Sequence, residues 1–430
     1  MKNNKFIKST LILIVGGFIS KIMAMIIRII LTRVVGTVGI GLYMLVLPTF
    51  VLFITLGNMG VTVALSKLVS ENKKNNKKLV LSIIPTILLF NVFLMFFLLL
   101  TGPLIAKFLL HNEQIYYPIM AIGLTLPCIT LSDLMRGYFF GKQKMFPYVF
   151  SNIFEQLVRL LLTAFFIPNL LRINLQIAIT GVVLINIVSE FTSIVILLFF
   201  IPKGISIKKD DFKYSKQDMK DVLDIGIPST SARLIGSIAS FLEPITLTYA
   251  LMKVGYNSSF ITFEYGIING YVLPLIMLPS FFSGAISNAL LPVVSNSYAN
   301  KKITYAKGKI KQAILFSLLI GLPVTLILIL FPNIPLKAIY HTSLGINYLR
   351  VLAPIFILHY VQSPLTTTLH AMNKSKKAML GTLGGAIIRT GLLFVCSFFK
   401  IGLWSLVIAI GSNIIFVTLH HLYYVKKYLK

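Results

Sequence analysis

Negative charge is scarce in this chain. There are 12 Asp and Glu against 40 Lys and Arg, and charged residues of either sign make up only 12% of the 430 positions. Soluble domains carry about 25%, so an ordinary soluble fold is excluded. A formal charge of +28 would suit a nucleic-acid binder, but such proteins gather their base on a solvated domain. Here the lysines sit in short gaps between apolar runs, which excludes nucleic acid as a partner. Cysteine is nearly absent. Cys128 and Cys396 are both deep in apolar stretches, and their placement excludes a disulfide framework. No GxxxxGK[ST] loop occurs, which argues against ATP-driven work by this chain alone. No cluster with metal-ligand spacing and no catalytic constellation is found. The expectation is therefore a protein that is no enzyme and holds no metal or cofactor.

What the chain has in abundance is apolar sequence, 57% of its residues. The unit of organisation is then the run of about 20 residues that crosses a ~30 Å hydrocarbon layer. The basic stretch Met1–Lys8 followed by apolar residues superficially resembles a leader. No small-residue cleavage pattern follows it, so it is read as the start of the first membrane span. Twelve spans can be drawn, at about 9–32, 40–66, 79–101, 115–139, 147–169, 175–200, 221–249, 265–294, 310–331, 346–370, 378–399 and 402–425. Pro127, Pro228, Pro244, Pro274, Pro279, Pro354 and Pro364 fall inside spans, where breaks mark bends or cavity walls.

The cations test this division. With Arg136, Lys311 and Arg350, which stand near span ends, counted with the adjoining loops, 28 of the 40 Lys and Arg lie before the first span or after even-numbered spans, 7 lie on the opposite side and 5 lie deeper within spans. Cytoplasmic loops carry the excess of base, so both termini are expected in the cytoplasm of a multi-pass cell-membrane protein. The group from Arg136 to Lys144 is counted with the cytoplasmic loops. The longest polar stretch, 201–220, follows the sixth span. The expected organisation is an N-terminal lobe at 1–200, a cytoplasmic linker at 201–220 and a C-terminal lobe at 221–430.

The halves look duplicated. One constant shift pairs Tyr43 with Tyr271, Phe53 with Phe281, and Lys73-Lys74 with Lys301-Lys302. A slightly longer shift pairs Lys144 with Lys374 and Arg159 with Arg389. With six spans in each half the copies share orientation, which makes the repeat parallel.

Ionised side chains at bilayer depth cost roughly 2.5–3.5 kcal/mol each on insertion scales, so those retained face a cavity or a partner. Lys21 and Arg28 are seven apart on one face of the first span, beside Gly17, Ser20 and Ala24. They line a wet cavity, or else small residues pack the helix while the cations snorkel. In the seventh span Thr230, Arg233, Ser237 and Ser240 form a polar stripe above Glu243, with helix–helix contact as the bland reading. In the fifth, Glu155 and Arg159 are spaced i, i+4, suited to an intrahelical ion pair. Arg389, the repeat mate of Arg159, has no such neighbour in its own span. Glu190 is a lone carboxylate in the sixth span, suited equally to a coupling ion and to a structural hydrogen bond. The candidate substrate-binding residues are thus Lys21, Arg28, Arg159, Arg233 and Arg389. The candidate sites for a coupling cation, Na⁺ or H⁺, are Glu155, Glu190 and Glu243.

Several stretches carry a resemblance. They are Arg28-Ile-Ile-Leu-Thr-Arg33 with Gly39-Ile-Gly-Leu-Tyr43, the run Gly60–Glu71, Arg136-Gly-Tyr-Phe-Phe-Gly141, Glu155-Gln-Leu-Val-Arg159 and Gly226-Ile-Pro-Ser-Thr-Ser-Ala-Arg233. Together they resemble the stage V sporulation protein B group of polysaccharide-type flippases, in the superfamily of MurJ and the multidrug and toxin extrusion (MATE) transporters. The resemblance implies an all-α fold of two six-helix lobes around a central cavity, alternating access, and a lipid-linked saccharide as cargo among membrane lipids. It also implies cationic cavity residues that engage a pyrophosphate, a role Arg28 fits with Lys21 beside it. The MurJ pattern has further arginines in the second and eighth spans, and this chain has none there. The rival reading is a cation-coupled exporter of small molecules of MATE type, which wants a membrane carboxylate. A third is a non-transporting scaffold for cell-wall assembly. Interior cations outnumber carboxylates, which favours an anionic cargo.

Overall fold

The computed structural model describes residues 2–71, 75–201 and 209–429. Lys73, Lys74, Lys203, Lys208 and Lys430, all used in the charge count, lie outside the described residues, as do the side chains of Lys2, Lys5 and Lys8 and most of the first half of the expected linker. Among the described residues the chain is helical, without a strand. Ten helices there are long and apolar enough to cross a membrane, and the chain is a polytopic α-helical membrane protein.

The count of ten differs from the expected twelve at two places. Val15–Glu71 enters as one stretch of 57 residues, which as a straight helix would run to about 85 Å, far beyond the hydrocarbon thickness. It is not straight. Gly36, with φ 68 and ψ −172, interrupts α1 (Lys2–Asn58) in the gap expected between the first two spans. A side chain there would be strained, so glycine makes the break. The other difference is α13 (Ile346–Ala371), a 26-residue helix that the polar residues His359, Gln362 and His370 keep from being apolar enough to join the ten.

Packing divides the chain into two compact units, 1–241 and 242–430. The division falls inside α7 (Lys216–Lys253) rather than in the 201–220 stretch. The physical reason is that the first turns of α7 belong to the first unit. Met219 and Val222 complete a buried cluster with Val61, Leu65, Ile83 and Leu134.

In the first unit α1 is followed by α2 (Val61–Glu71), α3 (Asn76–Leu104), α4 (Tyr116–Gly141), α5 (Met145–Ile173) and α6 (Leu175–Phe199). The second expected span is broken at Met59 and Gly60, both at positive φ. Helix α4 is the hub, with α1, α2, α3 and α6 packed round it. Gly137 and Gly141, four apart and so on one face, allow this. A Cβ on Gly137 would stand 2.9 Å from the Thr62 carbonyl oxygen, and one on Gly141 2.7 Å from that of Ser66. Small residues at such spacing let helix backbones touch in a membrane. One extended residue, Asn174, joins α5 to α6 and caps α6 by accepting from the Gln176 amide at 2.8 Å. The two helices are therefore antiparallel neighbours.

The second unit contains the end of α7, then α8 (Ser258–Gly266), a π-helical stretch Ile267–Val272, α9 (Leu273–Ile276), α10 (Ser280–Ala299), α11 (Ile303–Leu330), α12 (Asn333–Tyr340), α13, α14 (Ser375–Ser397) and α15 (Trp404–Tyr428). Here α13 is the hub, flanked by α10, α11 and α15. The expected eighth span is broken, because Pro279 has no N–H to carry the helical ladder into α10. The buried Tyr360 hydroxyl of α13 donates to the Ile276 carbonyl at 2.7 Å, covering backbone that lipid could not satisfy.

Candidate functional site: a basic cavity backed by a charge network

Three helices of the first unit bring five charges together. Asp133 and Arg136 lie on α4, Glu155 and Arg159 on α5, and Glu190 on α6. Arg136 is 8% exposed, Glu155 3% and Glu190 5%. The guanidinium of Arg136 is the centre. It donates to Glu155, to Glu190 Oε2 at 3.1 Å, to Ser193 Oγ at 2.9 Å and to Asp133 Oδ1 at 3.4 Å. Arg159 donates to Glu155 Oε1 at 2.6 Å and to Ser189 Oγ at 3.2 Å, and stands 3.8 Å from Glu190. Asn58 donates to Asp133 Oδ2 at 2.6 Å. Each carboxylate thus has a donor, the condition under which charge persists out of water. The i, i+4 pair expected within α5 is formed. Glu190, alone in its span by sequence, is not alone in the fold.

Arg136 corrects the sequence reading. It was counted with the cytoplasmic loop, yet α4 runs on to Gly141 and buries it. Sequence reasoning missed Asp133 too. The available signal was the i, i+3 spacing of an acid and a base inside an otherwise apolar stretch.

A cavity of about 230 Å³ lies against the same network, lined by Arg28, Tyr43, Gln156, Arg159, Thr163 and Asn186 among apolar residues of α1, α5 and α6. Two of the predicted cationic residues, Arg28 and Arg159, therefore share one hollow. Arg28 is half-buried and reaches Met44 Sδ at 3.4 Å, a weak acceptor. Arg159 faces both ways, lining the cavity while bonded to Glu155. Two guanidiniums beside a small hollow suit an anionic group, since charge-assisted contacts to phosphate oxygens are strong. The volume is below the ~300–1,000 Å³ of drug-sized sites, enough for a phosphate rather than for a whole saccharide.

The other candidates lie elsewhere. Lys21 and Arg233 are exposed and do not line this cavity. Ser237, one turn beyond Arg233, bonds Thr55 Oγ1 at 3.1 Å. In the second unit Glu243 and Arg389 meet at 2.5 Å, and Tyr265 donates to Glu243 Oε1 at 3.3 Å. Arg389, which has no acid neighbour in its own span, is thus paired from outside it. Its carboxylate comes from another helix, which spacing along one span cannot reveal.

Comparison with known proteins agrees with the motifs. Residues 6–298 match the polysaccharide biosynthesis protein family, and 269–395 match the MatE family. Stage V sporulation protein B of Bacillus subtilis (strain 168) is 34% identical over 441 aligned residues, covering 100% of this chain and 85% of that one. The lipid II flippase MurJ of the same organism is 24% identical, covering 90% and 76%. Among solved structures, an inward-facing multidrug resistance MATE family transporter of the MOP superfamily matches with a TM-score of 0.73 at 16% identity over 94% of each chain. The lipid II flippase MurJ in an inward closed conformation gives 0.73 at 15% identity, covering 97% and 87%. At such identities the solved structures speak for the fold. The family match spans most of the sequence and the sporulation relative spans all of it: the chain belongs to the polysaccharide biosynthesis protein family, as a stage V sporulation protein B-like member.

Proposed function

We propose that this protein is a flippase that moves a lipid-linked saccharide, a polyprenyl-pyrophosphate oligosaccharide or cell-wall precursor, across the cytoplasmic membrane by alternating access. The observation that carries the reading is the pairing of Arg28 and Arg159 on one cavity inside a membrane bundle. Cations kept at that depth are costly and need an anionic guest or partner. The names of the relatives, a sporulation protein and a lipid II flippase, support the same class of cargo. In this reading the lipid tail stays in the bilayer while the headgroup passes, and the protein makes and breaks no covalent bond in it. Twelve passages in two lobes of six, with both termini cytoplasmic, fit the division of 27 cations against 7 that remains once Arg136 is placed within α4.

The rival, a cation-coupled exporter of MATE type, is favoured by the fold match to a multidrug resistance transporter. Its carboxylates would be Glu155, Glu190 and Glu243, each already engaged by an arginine. Reconstitution separates the two. Liposomes carrying labelled lipid-linked saccharide should show flipping that Arg28→Ala lowers at least about tenfold, the loss of one good charge-assisted contact. Efflux of a cationic dye that persists in Arg28→Ala and stops in Glu190→Gln would instead favour the exporter.

A further inference from the structure

We infer that the second unit carries a docking site for the sugar part of the cargo, built on Trp404 and Tyr348 at the end of the unit where α8, α13 and α15 begin. The inference rests on the flippase reading for its purpose, and by the lysine distribution this end faces away from the cytoplasm.

The second turn of α8 with Ile267 after it, the first turns of α13 and α15, and the loop before α13 enclose a hollow of about 450 Å³, inside the range of small-molecule sites. Trp404 opens α15 and Tyr348 lies in the first turn of α13, with ring centroids 4.8 Å apart at 60°. Phe263 adds a third aromatic side chain, and Glu264, Asn347 and Ser343 supply the hydrogen-bonding groups. No Lys or Arg is among the residues that line the hollow. Its chemistry is therefore opposite to that of the Arg28 cavity. A phosphate would meet the Glu264 carboxylate and no cation. A sugar ring fits instead: its C–H faces lie on electron-rich aromatic faces, and its hydroxyls bond a carboxylate and an amide.

The walls are fixed in advance. Tyr348 donates its hydroxyl to Glu264 Oε2 at 2.7 Å, which sets both side chains. Gly345 has φ 86, and a Cβ there would stand 2.7 Å from Val272 Cγ2, so the loop abuts the π-helical stretch. The Tyr256 hydroxyl donates to the Lys400 carbonyl at 2.7 Å, tying the connection before α8 to the one before α15. Preorganisation of this kind lowers the ordering cost of binding. Aromatic residues also form belts at membrane interfaces, where their polar tips meet water and headgroups. Here the Tyr348 tip is bound to Glu264 and the two rings border a concave space.

Trp404 is the one tryptophan in the chain, so its fluorescence reports on the hollow alone. Purified protein in detergent micelles is titrated with soluble disaccharides, plain and N-acetylated, and separately with inorganic pyrophosphate. We expect a saturable change with at least one sugar, none with pyrophosphate, and binding about tenfold weaker in Tyr348→Ala, which removes one stacking ring. Tyr348→Phe keeps the ring and should bind within a few-fold of the parent, which guards against a mere folding defect. A parent protein that flips lipid-linked saccharide yet shows no response to any sugar overturns the docking site and leaves the flippase reading intact. A sugar response without any flipping overturns the flippase reading and keeps the site. A response to pyrophosphate comparable to that with sugar overturns the assignment of ligand.

Discussion

Arg389 on α14 pairs with Glu243 on α7 across 2.5 Å, whereas Arg159, which a constant sequence shift matches to it, finds Glu155 four residues away on its own helix. The two arginines are neutralised by different routes. One route is written in local spacing, the other only in the fold.

Removing one partner of the Arg389–Glu243 pair should therefore destabilise the second unit. Glu243→Gln is expected to cost about 1–3 kcal/mol. Glu243→Leu combined with Arg389→Met should recover most of the loss, since an apolar pair leaves no stranded charge. Thermal melting in detergent distinguishes them. Single variants that melt with the parent would show the pair to be idle.

In the first unit three carboxylates surround two guanidiniums, so their variants should rank. Arg136→Ala strands Asp133, Glu155 and Glu190 around a void and is expected to cost about 3–5 kcal/mol, seen as lost yield and a lowered melting point. Glu190→Gln keeps an acceptor for Arg136 and removes the surplus negative charge, so it should be the mildest. Glu155→Gln, which touches both arginines, falls between. The reverse ranking of Glu190→Gln and Arg136→Ala is incompatible with Arg136 as the centre.

Topology can be read chemically. In a background without Cys128 and Cys396, single cysteines at Lys142, Lys301 and Lys376 should react with a membrane-impermeant maleimide only after cells are opened. Cysteines at Tyr256, Lys337 and Lys400 should react in intact cells. A single site that labels from the wrong side breaks the alternation on which the placement of the termini rests.

Gly141→Leu is expected to abolish folding, because its side chain would enter the Ser66 carbonyl and the Val69 side chain on α2. Gly17→Leu, at a glycine with no neighbour within 4 Å, is the control and should leave yield unchanged. Equal yields of the two would mean that α2 does not need its close seat on α4.

Much of the fold was legible because lipid imposes a simple grammar of apolar length and basic loops. That grammar left a gap at 33–39, where Gly36 breaks the helix; the family was legible separately, as a resemblance carried by motifs such as Arg136–Gly141. The same grammar misled at Arg136, where a cation near the end of a span looked like a loop residue although the helix continues over it. It also drew 40–66 as continuous, since hydropathy does not register the positive φ of Met59 and Gly60; the break within 265–294 was signalled by Pro279 itself rather than by hydropathy. Pairing was legible only along one helix. Glu155 with Arg159 could be foreseen from spacing. Glu190 with Arg136, and Glu243 with Arg389, arise from tertiary packing, which no periodicity encodes.

The hydroxyl of Tyr360 acts as a splint on a fractured neighbour. Because it is spent on the Ile276 carbonyl, and because a bare carbonyl cannot be left in oil, α13 and the segment around α9 cannot part company while embedded. Whatever rocking the second unit undergoes, these two pieces must ride as one.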